Sequence, residues 1–420
     1  MLEQCFPFLF MADRNKSLHT MFTGHRGSGA NTIQSQLEPE QRTPENSLAS
    51  IKKALAEGVD VIEFDLYKTN NDRLVVTHDN DLSKTSKKRN GADTSELQKI
   101  DSGKYHVEHL DHQSLQSGYD ISNVPVQDDK FKTVGECQTG QHITDDRTRL
   151  KDYHTIPLFT EVLEAVAKEN LKRKKQNKPN VKLNIELKGQ GTGNIVQGEI
   201  ASFNAVKSEL EGLPKINSDD IHFLSFSERE LYAAAQQDPK ANLILGVPTF
   251  DAYKETGKNY SIKNKELNKE HLDYKIDGFD STLKNIPGRG RGLDGVDMNL
   301  WDVGDEALDY FGQKQMPISV AVTPWGPDHL NHEYLLPALD NIDKIRQKQE
   351  DLYSGKKKTY MFVKTDSPTE LQKIIEQRKA IEGDEQIISA KEHLVGSKEK
   401  ATDEEEKIPL YKKPHELFGR

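Results

Sequence analysis

Eight short apolar runs with the length and composition of β-strands follow one another along the chain, and helical patterns separate most of them. Strands that alternate with helices form parallel βαβ units, and eight such units can close a barrel. We therefore predict an α/β fold, a (β/α)8 TIM-type barrel, over residues 20–383. The predicted strands are Thr20–His25, Val59–Leu66, Val181–Leu187, Ile221–Phe226, Asn242–Val247, Gly295–Leu300, Pro317–Val322 and Thr359–Lys364.

The helix after the first strand has signals at both ends. Thr43 is a favoured N-cap residue and Pro44 suits the first helical position, which predicts that the helix begins there. Apolar residues then recur at helical spacing as far as Gly58, a residue typical of helix C-termini. The sequence therefore places a helix between the first two strands.

Four segments fall outside the regular alternation. Residues 81–154 are polar and too long for an ordinary loop, so we predict an inserted lid or small subdomain after the second strand. Residues 251–291 are rich in lysine, asparagine and glycine and predict a second insertion. We also expect an N-terminal extension at residues 1–19 and a densely charged tail at residues 384–420.

Composition excludes several classes of protein. The formal net charge of −10 argues against a nucleic-acid partner, which usually requires a basic surface. No apolar run reaches the roughly 18 residues of a membrane span, so we predict no integral membrane segment. Cys5 and Cys137 are too few for a disulfide framework. The apolar segment 5–12 lacks a preceding basic residue, which favours a cytoplasmic protein and leaves secreted or periplasmic location as the alternative.

Three acidic residues point to a metal site. Glu63 and Asp65 are two residues apart in a predicted strand, so their carboxylates share one face and repel each other unless a cation or proton lies between them. Glu186 and Lys188 repeat this spacing on the next barrel strand. Carboxylates without cysteine suit Mg²⁺ or Ca²⁺, with Mn²⁺ as a further candidate, better than zinc. The alternative is a buried acid–base network that closes the barrel mouth.

Two histidines lie at the ends of apolar runs. His25 ends the first strand and precedes Arg26, at the position where barrel enzymes carry catalytic groups. His78 precedes Asp79, which could set its tautomer. Arginine grips phosphate bidentately, and two histidines flanking a metal-bound phosphodiester can act as general base and general acid. This set predicts phosphate-ester cleavage, although each histidine alone also suits a hydrogen-bonded core position.

These motifs resemble the glycerophosphodiester phosphodiesterase family, which has a (β/α)8 barrel within the phosphatidylinositol-specific phospholipase C-like group. The resemblance extends over most of residues 20–383 and is most specific in the first half. The matching segments are His25–Gly27, Pro44–Ser47, Gly58–Asp65, Val75–Asp79, Ile156–Leu158, Leu183–Lys188, Ser225–Phe226 and Thr365–Pro368.

The resemblance implies a reaction and a role for each matching residue. A small-molecule glycerophosphodiester would be cut to sn-glycerol 3-phosphate and an alcohol, after the glycerol 2-hydroxyl attacks phosphorus and water opens the resulting cyclic phosphate. Such a hydrolase serves lipid and glycerol metabolism; the oligomeric state is left open. The implied residues are His25 and His78 as the acid–base pair, Glu63, Asp65 and Glu186 as ligands of one divalent cation, Arg26 and Lys188 as phosphate contacts, and Ser225, Phe226 and Trp325 as pocket residues.

Two other functions remain as alternatives. A lysophospholipase D or sphingomyelinase D-like enzyme would need an apolar groove or docking loop, and neither insertion contains an aromatic-rich one. A catalytically inactive barrel that serves as a binding protein would have lost at least one chemical residue, and none is lost. Separately, His106, His109 and His112 recur every third residue, which suits either a second metal site or, as the charged surroundings favour, a solvated face.

Overall fold

The computed structural model describes most of the predicted barrel. Its contacts divide the chain into residues 1–372 and 373–420, and the barrel lies in the first unit. The predicted charged tail, nearly all of the N-terminal extension and most of residues 81–154 lie outside the described residues, so the lid stays a prediction. The described residues are 18–34, 37, 43–82, 87–88, 106–120, 152, 155–247, 269–322, 332–353, 359–368, 370–371 and 373–375.

The predicted barrel is confirmed. Eight parallel strands form a closed ring, because the first strand pairs with both the second and the last. A short extra strand, β3, runs antiparallel to β2 as the return arm of a hairpin. All eight predicted strands agree with the observed ones to within two residues at each end. The strands are β1 Leu18–Gly24, β2 Val61–Lys68, β3 Leu74–Val76, β4 Lys182–Leu187, β5 Ile221–Ser225, β6 Asn242–Gly246, β7 Gly295–Asn299, β8 Ile318–Val322 and β9 Thr359–Thr365.

Helices connect the barrel strands. No helix within the described ranges is long and apolar enough to cross a membrane. Part of the predicted second insertion forms α8, which precedes β7. Shorter elements are the 3-10 turns Val107–His109, Ser218–Asp220 and Leu300–Asp302, the π-helical turn Asn204–Ser208, and a ladder of Lys87–Lys88 with Tyr119–Asp120. The helices are α1 Asn31–Gln34, α2 Leu48–Glu57, α3 His112–Gly118, α4 Phe159–Lys175, α5 Thr192–Phe203, α6 Glu209–Glu211, α7 Glu228–Gln237, α8 Lys269–Lys284, α9 Asp305–Gln313 and α10 His332–Tyr353.

The start of α2 differs from the prediction. Ser47, not Thr43, is the N-cap: its backbone is extended and its Oγ accepts a hydrogen bond from the Ser50 amide at 3.0 Å. The preceding residues form a turn in which Asn46 adopts a left-handed backbone, with φ of 57°. The helix ends as predicted at Gly58, whose φ of 85° suits glycine.

Side chains of alternate strand residues fill the barrel, and their polarity changes along its axis. Charged residues follow the apolar ones on the same face, since Glu63 lies two positions beyond Val61 and Lys364 two beyond Phe362. The C-terminal mouth, where the parallel strands end, therefore carries the charged groups. The apolar layer below it consists of Met21, Val61, Leu224, Ile244, Tyr360 and Phe362.

A second apolar cluster packs part of residues 81–154 against the β2–β3 hairpin. The backbone joins the same contact, because the Asn70 amide donates to the Leu110 carbonyl at 3.0 Å. The described residues 106–115 are therefore anchored beside the barrel mouth. The cluster contains Val75, Leu82, Val107, Leu110, Leu115 and Ile156, with Tyr67 and Leu158 packed against it.

Replacing Ser47 tests the observed N-cap of α2. We expect Ser47→Ala to lower the free energy of unfolding by roughly 0.5–2 kcal/mol, since the Ser50 amide loses its acceptor. Urea denaturation measures the change. Ser208→Ala is the matched control, because the Ser208 hydroxyl has no hydrogen-bond partner within the described part of the chain. A loss for Ser47→Ala no larger than the control's, which we expect within about 0.5 kcal/mol, would contradict the assignment.

Candidate active site

Three buried carboxylates converge at the C-terminal mouth. Glu63 and Asp65 lie on β2, and Glu186 lies opposite Asp65 on the neighbouring strand β4. One oxygen of each lies within 4.8 Å of the others. Glu63 is fully buried, yet its Oε1 has no hydrogen-bond partner among the residues the structure describes. Oxygen ligands with an orphaned buried acceptor fit a hard divalent cation.

The pKa values of the two carboxylates on β2 are shifted in opposite directions. Burial raises the pKa of Glu63, and the repulsion from Asp65 raises it further against the opposing effect of His25. Burial acts on the Asp65 carboxyl in the same direction, but Lys188 and His78 outweigh it and hold its pKa far below the usual range. The ionised form of Asp65 is therefore favoured.

The turn before α2 supplies polar contacts that hold the site together. Glu45 is buried and uses both oxygens, accepting from Arg26 Nη1 at 2.9 Å and from the Asn31 amide at 2.8 Å. Asn46 Nδ2 donates to Asp65 Oδ2 at 2.8 Å. These contacts explain why α2 begins late, because residues of its predicted first turn bind the site instead. Sequence reasoning matched the segment but gave neither residue a role.

His25 follows β1 and is oriented by Asp366, beyond β9. His25 Nδ1 lies 2.6 Å from Asp366 Oδ1, which also accepts from the Ala30 amide at 2.8 Å. The other ring nitrogen, Nε2, lies 4.0 Å from Glu63 Oε2 and faces the carboxylates. Burial would lower the pKa of His25, but Asp366 and then Glu63 outweigh it, so the pKa is raised. Asp366 lay within a matched segment and was missed as a site residue.

Arg26 wraps over the carboxylates through an unusual backbone. Its φ is 49°, and its amide donates to Glu63 Oε2 at 2.7 Å. Its guanidinium Nε lies 3.8 Å from Asp65 Oδ2 and lacks a hydrogen-bond partner within the described ranges. The next residue, Gly27, has φ of 86°, and a Cβ there would meet Ser50 Oγ at 2.5 Å. The glycine thus permits the turn that brings Arg26 to the site.

Lys188 lies between two of the carboxylates. Its Nζ is 3.0 Å from Glu186 Oε1 and 3.3 Å from Asp65 Oδ1. Burial would lower the pKa of Lys188, but these two carboxylates outweigh it and the pKa is raised. The charged form of Lys188 is therefore favoured within the cluster, and its contact with Glu186 agrees with their spacing of two residues on one strand face.

His78 reaches the same mouth from the residues after β3. The Thr77 amide donates to the Asp65 carbonyl at 3.1 Å, which ties this segment to β2. His78 Nδ1 lies 3.3 Å from Asp79 Oδ1, the neighbour expected to orient it, and the side chain is 28% exposed. All seven predicted acid–base, metal and phosphate residues thus lie in β2 or β4, or within two residues after β1, β3 or β4.

Sequence reasoning missed a buried ion pair in the barrel. Lys364 of β9 and Asp297 of β7 are both nearly inaccessible, and Lys364 Nζ lies 2.9 Å from Asp297 Oδ1. Burial would lower the pKa of Lys364, but Asp297, Glu63 and Glu186 raise it. One sequence feature could have revealed this pair. Lys364 is a charged residue two positions after the apolar Phe362, so both side chains share the inward face of the strand.

The predicted pocket residues differ in their surroundings. Ser225 is buried, and its hydroxyl donates to the Leu187 carbonyl at 2.7 Å. Phe226 is 48% exposed and packs over Gly246, where a Cβ would lie 2.7 Å from the ring. Trp325 lies outside the described residues. Substrate contact at all three remains a prediction.

The histidine cluster of the first insertion forms side-chain contacts with asparagines. The rings of His106 and His109 stack with centroids 5.6 Å apart. His106 Nδ1 lies 3.1 Å from Asn80 Nδ2, and His112 Nδ1 lies 3.0 Å from Asn71 Nδ2. Within the described part of the chain, the carboxylate triad is the group with metal-site geometry, and these histidines are not part of it.

Comparison with known proteins gives one family. A model of the "Glycerophosphoryl diester phosphodiesterase family" matches residues 25–279 of the 420-residue chain. Human glycerophosphocholine phosphodiesterase GPCPD1 is 39% identical over 77 residues, which are 18% of this chain and span only 11% of that protein's length.

Solved structures of similar fold carry related descriptions. An Oleispira antarctica phosphodiesterase in complex with the product sn-glycerol-3-phosphate is 16% identical, with 85% of this chain and 96% of that chain covered and a TM-score of 0.47. A glycerophosphodiester phosphodiesterase from Agrobacterium tumefaciens is 16% identical, with coverage of 84% and 99% and a TM-score of 0.44.

Removing the buried cation tests how the acidic mouth is stabilised. We expect Lys364→Met to lower the free energy of unfolding by roughly 3–5 kcal/mol in EDTA, because Asp297 loses its partner beside other buried carboxylates. Urea denaturation followed by circular dichroism measures this loss.

Two further variants control this measurement. Adding Asp297→Leu to Lys364→Met removes both charges and should recover much of the stability. Lys314→Met breaks the pair with Asp277, which is 60% exposed, and should cost less than about 1 kcal/mol. An equal effect of Lys364→Met and Lys314→Met would show that the buried pair is not needed.

Proposed function

The chain belongs to the glycerophosphoryl diester phosphodiesterase family, and from this membership we propose that it hydrolyses small-molecule glycerophosphodiesters to sn-glycerol 3-phosphate and an alcohol. The observation that carries the proposal is the triad of buried carboxylates with two histidines near the carboxylates of β2. His25 lies beside Glu63, and His78 acts electrostatically on Asp65. Phosphodiester cleavage uses this combination of a cation site, a base and an acid.

Glu63, Asp65 and Glu186 would hold one divalent cation, with Mg²⁺ or Ca²⁺ the best candidates and Mn²⁺ a further one. When bound, the cation supplies Lewis-acid polarisation of the phosphate and neutralises developing charge. The protein's own part is to hold the carboxylates close together. The Lys188 ammonium favours the ionised form of Asp65, and the Arg26 backbone amide donates a hydrogen bond to Glu63, whose pKa is nevertheless raised by burial.

His25 and His78 supply the proton transfers of the proposed reaction. In the first half, the base removes the proton of the glycerol 2-hydroxyl as its oxygen bonds to phosphorus. The acid gives its proton to the oxygen of the departing alcohol as the bond between that oxygen and phosphorus breaks. Water then opens the cyclic phosphate with the two roles exchanged. His25 Nε2 is the reactive atom on its side, because Nδ1 is held by Asp366.

Arg26 and Lys188 are the proposed phosphate contacts. Arg26 Nη1 is occupied by Glu45, but its Nε lacks a hydrogen-bond partner within the described ranges and can donate to a phosphate oxygen. Lys188 keeps its positive charge between two carboxylates. The positively charged side chains of Arg26 and Lys188 would thus bind the phosphate beside the three carboxylates.

A substrate and metal panel tests the proposed activity. We expect hydrolysis of glycerophosphocholine with Mg²⁺, Ca²⁺ or Mn²⁺ and its loss in EDTA, because the carboxylates need a cation to bind phosphate. Release of glycerol 3-phosphate measures turnover across several glycerophosphodiesters and lysolipids. Turnover that persists in EDTA would refute the metal site, and preference for lysolipids would favour a lysophospholipase D-like activity.

Matched variants assign the proton transfers within that panel. His25→Ala and His78→Ala should each lower kcat by about 10²–10⁴-fold with an unchanged circular dichroism spectrum. Near-normal turnover by either would remove that histidine from the pair. Wild-type protein inactive on every substrate would favour the binding-protein alternative.

Asp366→Asn tests the orientation of His25. Loss of the neighbouring negative charge disfavours the imidazolium, so the pKa of His25 falls and its limb of the pH–rate profile moves to lower pH. We also expect kcat to fall by about 10²–10⁴-fold, since the ring loses its fixed tautomer. Asp277→Asn, at an exposed ion pair, is the control. If the pH–rate profile of Asp366→Asn matched that of the wild type, the contact between Asp366 and His25 would be contradicted.

A further inference from the structure

A short segment of the first insertion lies between two loops of the proposed site. One loop contains Asn80, two residues beyond His78, and the other contains Gln190, two residues beyond Lys188. Between them lies the 3-10 turn Val107–His109. The turn therefore contacts neighbours of a proposed acid–base residue and of a proposed phosphate contact.

On the His78 side, three hydrogen bonds join the turn to Asn80. The Val107 amide donates to the Asn80 carbonyl at 2.9 Å, and the Glu108 amide to Asn80 Oδ1 at 3.3 Å. In return, Asn80 Nδ2 donates to Glu108 Oε2 at 3.1 Å. Asn80 is thus bound through its backbone carbonyl and through both the oxygen and the nitrogen of its side-chain amide.

On the Lys188 side, the other oxygen of Glu108 makes the contact. The Gln190 amide donates to Glu108 Oε1 at 3.0 Å. Gly189 has φ of 69°, and a Cβ there would lie 2.5 Å from the same oxygen. The carboxylate therefore packs directly on the loop at a position where only glycine leaves room.

The turn itself rests on a fixed base. Asn70 of the β2–β3 hairpin donates from its side chain to the His109 carbonyl at 3.1 Å and from its backbone to the Leu110 carbonyl at 3.0 Å. Val107 and Leu110 are buried in the apolar cluster against β3. A carboxylate on a rigid support can hold two loops in register.

We propose that Glu108 is a positioning residue, which couples the loop after His78 to the loop after Lys188 by its hydrogen bonds to Asn80 and Gln190. We call these contacts the Glu108 bridge. The inference rests on the proposed function, because the bridge acts by holding those two side chains at a fixed separation around the substrate. Misplacement of such groups by about 1 Å can cost on the order of 10²-fold in rate.

Two variants at residue 108 test the bridge. Glu108→Ala removes both contacts, and we expect faster amide hydrogen exchange at Gln190 and a fall in kcat/KM of about 10–10²-fold. The loss should divide between a lower kcat and a higher KM, because one loop carries His78 and the other Lys188. Glu108→Gln keeps an acceptor for the Gln190 amide but offers none to Asn80 Nδ2, so exchange at Gln190 should return to the wild-type rate while kcat/KM recovers only in part.

Glu199→Ala is the matched control. The Glu199 carboxylate accepts from the Leu74 amide at 3.0 Å and from Arg73 Nε at 3.3 Å, so it is a similar structural contact near the other end of β3. Its loss should leave exchange at Gln190 and kcat/KM unchanged. Glu230 holds the amides of Gly191 and Gly193 and gives an internal reference for exchange in every variant.

The exchange and kinetic measurements test the contact and its catalytic role separately. Unchanged exchange at Gln190 in Glu108→Ala would overturn the contact. Faster exchange with wild-type kcat and KM would overturn the positioning role. Wild-type protein that hydrolyses no glycerophosphodiester would overturn the proposed function and with it the catalytic role of the bridge, while exchange at Gln190 would still report the contact by itself.

Discussion

Buried negative charge at the barrel mouth is the constraint on which the rest of the site depends. The carboxylates of Glu63, Asp65 and Glu186 converge within 4.8 Å, and such proximity disfavours their ionised forms. Lys188 lies between two of them, and the Arg26 amide donates to the third. Arg26 follows β1 and Lys188 follows β4, so the pairing of both strands with β2 brings these contacts to the carboxylates.

The fold and the central residues were predictable because their signals are local. Strand residues two apart share a face, so the spacing of Glu63 and Asp65 was enough to predict that their carboxylates converge. The partners of the site were not predictable in this way. Asp366 lies 341 residues from the histidine it binds, and Lys364 meets Asp297 across the barrel interior. Such contacts depend on strand register, which the apolar pattern does not specify across the ring.

The late start of α2 shows how tertiary contacts can override a local signal. Thr43 and Ser47 are both suitable N-cap residues, and Pro44, which suits the first helical position, favoured Thr43. Glu45 and Asn46, between them, bind the site, and a helical conformation there would withdraw these contacts. The positive φ of Asn46 is therefore tied to the contact with Asp65. Capping propensity is worth about 1 kcal/mol, so tertiary contacts readily outweigh it.

The pairing of β1 with both β2 and β9 has a consequence for biosynthesis. His25 and Asp366 face each other across the seam where the first and last strands of the ring meet. A ribosome makes about 5–20 residues per second, so His25 emerges many seconds before its partner aspartate. A nascent chain can form most of the barrel and still lack an oriented His25. The contact between His25 and Asp366 can therefore form only after the last strand has joined the ring.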